Sequence, residues 1–142
     1  MFLFSSACVD AIRVMTYMTK KNEGYVSADT ISKDLGIVLP YLAKTLKKLS
    51  DAGLLESKRG VGGGVTLPKS PESIKLLEII LALDGEKPFD TCIMGLGECS
   101  AETPCALHER WEAQMAEFRE LLLATTLAEV DSEINRKKII KL

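Results

Sequence analysis

The sequence predicts a mainly α fold with a small β-hairpin: a winged helix-turn-helix domain followed by a long helix. Three observations lead there. Two helical segments, near residues 28–35 and 40–52, are joined by a four-residue connection, and the second carries lysines opposite its leucines. Two short strand-like runs then flank a basic, glycine-rich stretch. Further on, Leu107, Trp111, Met115, Phe118 and Leu122 recur at helical spacing and form one apolar stripe. A chain of 142 residues with 46% hydrophobic content has room for one such domain and an appendage.

Residues 6–21 place Val9, Ile12, Met15 or Thr16, and Met18 on one side of a first helix that stops at Asn22-Glu23-Gly24. Cys8 lies on that helix, where a lone cysteine is expected to be a small buried apolar residue. Residues 1–18 are apolar, but Asp10 and Arg13 interrupt them and no basic leader precedes them. Neither a signal peptide nor a membrane span is expected there, and no other apolar run is long enough to span. The cysteines are therefore expected in a reducing cytoplasm, which disfavours a disulfide framework and raises the weight of metal or redox chemistry.

Ser27 is placed to cap the second helix, with Asp29 in its first turn, Ile31 and Leu35 facing inward, and Gly36 as its stop. Pro40 suits the first position of the third helix, Leu42, Leu46 and Leu49 form its buried stripe, and Gly53 ends it. At a hundred degrees per residue, Pro40, Lys44, Lys47 and Lys48 fall opposite that stripe, with Tyr41 at its margin. Residues 54–57 and 65–67 are the expected strands, and 58–64 form a glycine-rich tip. A nucleotide-binding glycine loop should lead from strand into helix, so this one reads as a wing, with Arg59 at its base suited to a minor groove. A short apolar helix follows at 73–83, ended by Asp84-Gly85. Thr126 and Glu129 make a capping box for a last helix from Leu127 to about residue 140, with a basic end at Arg136, Lys137 and Lys138.

Charge divides the chain. The formal net charge is -2. Residues 1–70 hold ten Lys and Arg against six Asp and Glu, and residues 71–142 hold eight against fourteen, so the halves carry +4 and -6. The basic half suits phosphate contact; the acidic half suits a partner surface or a solvated helix face.

Three of the four cysteines and the only histidine fall in residues 92–108, as Cys92-x6-Cys99-x5-Cys105-x2-His108. Gly95 and Gly97 allow positive φ in the first gap, so the backbone there can fold round a bound group, as a ligand loop must. Thr103 and Pro104 read as an N-cap and first helical residue, which would put Cys105 and His108 on one face of an opening turn where a thiolate is favoured. Structural zinc prefers shorter knuckles than gaps of six and five. An iron-sulfur cluster tolerates wider spacing and is the leading reading, with ordinary reduced thiols in a polar loop as the bland one.

Taken together, Ser6-x-Cys8-x-x-Ala11-Ile12-Arg13, Tyr41-Leu42-x-Lys44-x-Leu46-x-x-Leu49-x-x-Ala52-Gly53-Leu54, Arg59-Gly60-x-Gly62-Gly63-Gly64 and the later cysteines resemble the Rrf-type family of bacterial winged-helix transcription regulators. That family includes iron-sulfur cluster and nitric-oxide-sensitive regulators, and the resemblance spans nearly the whole chain. It implies a homodimer crossing through the long helix and divides the chain into a DNA-binding domain at 1–84, a cluster-binding loop at 85–104, and a dimerisation helix with a C-terminal helix at 105–142. It implies a double-stranded DNA operator met by Pro40, Tyr41, Lys44, Lys47, Lys48 and Arg59. It also implies an iron-sulfur cluster, of two-iron or four-iron type, on Cys92, Cys99 and Cys105.

For the fourth ligand, some relatives use a histidine just past the last cysteine, which His108 matches. Others use an acidic residue of the first helix of the partner subunit, where this chain has Val9 with Asp10 beside it. His108 is the better candidate. The first gap is longer than in relatives, which leaves the cluster type open. Two rivals stand beside this reading: a cluster-free regulator of the same fold that answers to thiol oxidation, and a thiol enzyme or small electron carrier. The latter lacks a Cys-x-x-Cys in a βαβ setting, a second histidine or an acid pair, so no enzyme is expected.

Overall fold

The computed structural model describes residues 3–21, 24–97 and 99–131. Helix α1 (Ser6–Thr19) opens on Ser5, whose hydroxyl accepts the Cys8 N–H. Helix α2 (Ala28–Leu35) is capped by Ser27 accepting from Thr30 N–H and stopped by Gly36 at φ 67°, as the sequence predicts. Helix α3 (Leu39–Asp51) starts one residue earlier than expected, with Val38 as N-cap and Pro40 second, and no side chain caps it.

Leu42, Leu46 and Leu49 are buried as expected, against Ile31 of α2 and the inner face of α1. On α1 that face is Cys8, Ala11, Val14, Met15 and Met18, whereas Val9 is 45% exposed. The apolar stripe of α1 is therefore rotated by one residue from the one expected: Cys8, Ala11, Met15 and Met18 follow three- and four-residue steps that Val9 does not join.

The wing pairs β1 (Glu56–Lys58) antiparallel with β2 (Gly64–Thr66), Ser57 opposite Val65. Both strands are shifted from the expected 54–57 and 65–67, because Leu54 and Leu55 are drawn into the core beneath the hairpin. Val26 adds a bridge to Val65 through two 2.9 Å backbone hydrogen bonds. Gly64 is obligatory there: a Cβ on it would collide with the Val26 carbonyl, and its φ is 142°.

A 3-10 turn at Pro71–Ser73 and an extended Ile74 precede α4 (Leu76–Asp84), which begins later than expected because Lys75 N–H is taken by the Glu78 carboxylate at 2.7 Å. This helix packs on α1, α3 and α6, with Ile79 and Ile80 fully buried. Short α5 (Lys87–Asp90) leads to the cysteine loop. Helix α6 (His108–Ala124) returns to α4, where Leu76 N–H bonds Thr125 carbonyl and Leu127 N–H bonds Ile74 carbonyl. Thr126 and Glu129 form the expected reciprocal box, at 2.7 and 3.3 Å, before helical residues 127–131. The expected continuation to residue 140, with Arg136, Lys137 and Lys138, lies outside the described residues.

The expected helix start at Thr103 and Pro104 fails. Residues 101–105 are irregular, Thr103 caps nothing, and α6 opens only at His108, with Leu107 as an N-cap lacking a side-chain bond. Cys105 thus precedes the helix, tied to it only by His108 N–H bonding its carbonyl at 3.1 Å. It shares no helical face with His108, and the helix-terminus argument for its thiolate does not apply. Of the long stripe, Leu122 is buried, Trp111, Met115 and Phe118 are half-buried, and Leu107 is exposed.

Candidate nucleic-acid interface and cysteine site

The Leu42, Leu46, Leu49 stripe holds α3 to the core, so its other side is turned to solvent, and Pro40, Tyr41, Lys44, Lys47 and Lys48 are all exposed on it. Lys47 pairs with Asp51 at 2.9 Å, one turn on. Among the described residues Lys44, Lys48 and Arg59 have no ion-pair partner, so their ammonium and guanidinium groups are open to an external anion. Tyr41 hydroxyl lies 3.3 Å from Ser6 Oγ, linking α3 to the start of α1. Beside them Arg13 bonds the Asp10 carboxylate and the Leu35 carbonyl, which fixes α1 against the end of α2. Asp10, Arg13, Val38, Pro40, Tyr41 and Lys44 line a shallow cavity of about 520 Å³. Arg59 is exposed on the wing next to Gly60.

The cysteines behave differently from one another. All four are free thiols. Cys8 is in the core, and burial together with Asp84 pushes its thiol up to about 12, which suits a packing residue and not a ligand. Cys92 is buried where its loop turns back: its N–H bonds Gly97 carbonyl at 3.0 Å and its carbonyl accepts Gly95 N–H at 3.0 Å. The turn cradles Cys92: backbone hydrogen bonding from Leu96, then Met94, holds its thiol below the ordinary value against burial, with Gly95 adding least. Gly95 and Gly97, at φ 73° and 102°, make that cradle possible.

Cys99 is half-buried, its N–H bonded to Asp90 carbonyl at 2.9 Å and its sulfur 3.1 Å from His108 Nδ1. Burial, then the charges of Cys92, Cys105 and Glu112, push the Cys99 thiol up. His108 is itself buried, with Nε2 3.9 Å from Glu112 Oε2. Cys105 is exposed. The structure thus joins Cys99 to His108 directly. Among the described residues no three such donors already meet as a metal-holding group.

What seats this loop has no local sign in the residue pattern. Trp111 Nε1 donates to Thr91 carbonyl at 2.9 Å, next to Cys92. Arg119 grips the Glu86 carboxylate with both terminal nitrogens and lies 5.1 Å over the Phe89 ring. Ahead of α5, Ser5 gives Asp84 its backbone N–H and its hydroxyl, tying the start of α1 to the end of α4. Of these, Trp111 stood out beforehand as an apolar stripe residue and Asp84 as part of a helix stop, neither for the bond it makes.

A helix-turn-helix with a wing, open cations on the recognition helix and a helical body behind it define a DNA-binding transcription regulator. Residues 4–133 match the Rrf2 family, described as iron-dependent transcriptional regulators, and the chain belongs to that family. It is 36% identical over 106 residues to the HTH-type transcriptional regulator IscR of Vibrio campbellii, covering 73% of this chain and 62% of that one. Its fold resembles CymR, the global cysteine regulator of B. subtilis, with a TM-score of 0.78 and 28% identity over 94% of this chain and 98% of that one. It also resembles T. potens IscR, with a TM-score of 0.72 and 27% identity over 95% and 90%. Among the described residues no helix is long and apolar enough to cross a membrane.

Proposed function

We propose that the chain is a homodimeric regulator whose affinity for its operator is set by an iron-sulfur cluster on Cys92, Cys99 and Cys105, with His108 as the fourth ligand. The observation that carries this is the cradle at Cys92. Backbone hydrogen bonding from its own turn favours the Cys92 thiolate, the form that binds metal. Hydrogen bonds to ligand sulfurs are also a lever by which proteins tune such clusters. The donor set of soft thiolates and one imidazole fits the group, and the Cys99 to His108 contact brings two of them together. When bound, the cluster supplies a centre that can be oxidised, lost or nitrosylated, and so serves as a signal.

The protein's own residues would carry that signal outward. Trp111 and Arg119 fasten the loop's entry to α6, and Asp84 fastens the end of α4 to Ser5 at the start of α1. A change in how the loop sits would be felt at both ends of α5, hence at α1 and the recognition helix it supports. Leu107 and Leu121 are exposed beside and on α6, on nearly one side by helical spacing, apolar positions suited to the same helix of a second copy. The dimer would then set two α3 helices in successive major grooves and the wings in flanking minor grooves, with Lys44, Lys48 and Arg59 on phosphates or bases.

Reconstitution without air, followed by iron and acid-labile sulfide analysis, tests the reading. Wild type should take up iron and sulfide, and Cys92→Ala should take up next to none while melting as a folded protein. A colourless, iron-free wild type would favour a second reading, direct thiol oxidation, which the exposure of Cys105 and the likeness to a cysteine regulator support.

A further inference from the structure

The recognition helix is unusual in what it lacks. Major-groove reading normally uses arginine or lysine on guanine, asparagine or glutamine on adenine, and carboxylates on cytosine. Of these, α3 turns outward only lysines ahead of its last residue. Between Val38 and Asp51, α3 and its N-cap carry no Arg, Asn, Gln or Glu, and the single carboxylate, Asp51, is at the far end holding Lys47. Thr45 is buried with its hydroxyl on Tyr41 carbonyl, and Ser50 is turned to Ser57. The end that enters a groove first is apolar instead: Val38 is 72% exposed, Leu39 41%, and Pro40 and Ala43 are exposed beside them. Val38 is also an N-cap without a capping bond, a position where serine or threonine would stabilise the helix. An uncapped, solvent-facing valine on the element that carries the open cations Lys44 and Lys48 suits a polyanion that presents an apolar group of its own.

We infer that this tip reads thymine. The C5 methyl of thymine is the one apolar group in the major groove, and Val38, with Leu39 beside it, is the side chain placed to cover it. The lysines contribute attraction to phosphates and contacts to guanine. Selection of the operator would then rest on methyl positions and duplex shape more than on paired hydrogen bonds. This inference rests on the DNA-binding reading of α3.

The test uses the full chain and a random duplex library. Rounds of selection should enrich a sequence with thymines in each half-site, and replacing these one at a time by deoxyuridine removes only the methyl. At one thymine per half-site the change should weaken wild-type binding about fourfold, the effect expected for one buried methyl. Val38→Ser should bind the thymidine and deoxyuridine duplexes alike, and should melt no lower than wild type, since serine caps the helix. Enrichment with no thymine whose methyl matters, or discrimination that persists in Val38→Ser, would overturn the inference and leave DNA binding standing. A library from which nothing is enriched would remove both.

Discussion

Around α3 the chain is held by side chains that vanish into a shared core, Ile31, Leu42, Leu49, Leu54, Ile79 and Ile80 among them. Residues 91–107 are held by a few bonds at their edges: Trp111 on Thr91, Asp90 on Cys99 N–H, His108 on Cys99, and the turn at Cys92. Of their side chains, Cys92 alone is buried among the described residues, while Met94, Leu96 and Cys105 are exposed. The helical body around α3 therefore has a shape its packing dictates, while the cysteine loop has few buried side chains to fix it. The proposed sensing needs that inequality, because a signal must alter one region without unfolding the other.

Thermal or chemical unfolding makes the comparison quantitative. Ile80→Ala should cost about 2–5 kcal/mol, as for other large-to-small changes in a core, and Leu96→Ala in the loop should stay within about 0.5 kcal/mol. Equal losses would erase the distinction. The second contrast is electrostatic. Lys44→Ala with Arg59→Ala should leave the melting temperature alone, weaken DNA binding, and lower the slope of log affinity against log salt by about 0.9 for each phosphate no longer neutralised. An unchanged slope would place the DNA elsewhere.

Smaller effects sharpen the picture. Ser27→Ala should cost about 1 kcal/mol by uncapping α2 and should leave iron uptake as it is. Glu86 is held below the ordinary glutamate value of 4.5 by its bonds to Arg119. A carboxyl depressed on folding contributes stability above the unfolded value, and loses that contribution as pH falls through the folded one. Glu86→Gln should accordingly melt slightly below wild type at neutral pH and low salt, and the gap should close under acid or in high salt.

The same inequality explains what the residues disclosed in advance. Ser27, Gly36, the α3 leucines, and Thr126 with Glu129 act on neighbours a few positions away, so their roles were legible. So was the burial of Cys8. Val9 misled because a short apolar run supports two adjacent stripes, and only packing on α4 chooses between them. Thr103-Pro104 has the look of a helix start, yet the chain there stays irregular and the helix opens without a cap at His108. The bonds that seat the cysteine loop join residues far apart in sequence, Ser5 to Asp84, Glu86 to Arg119, Thr91 to Trp111, and nothing local announces them.

Coupling between the two regions is most directly measured by titrating the selected duplex, at fixed salt and without air, with cluster-loaded and stripped protein. Linkage predicts affinities that differ by about fivefold or more, and a difference that vanishes in Cys92→Ala. Superimposable curves for loaded and stripped wild type would contradict it.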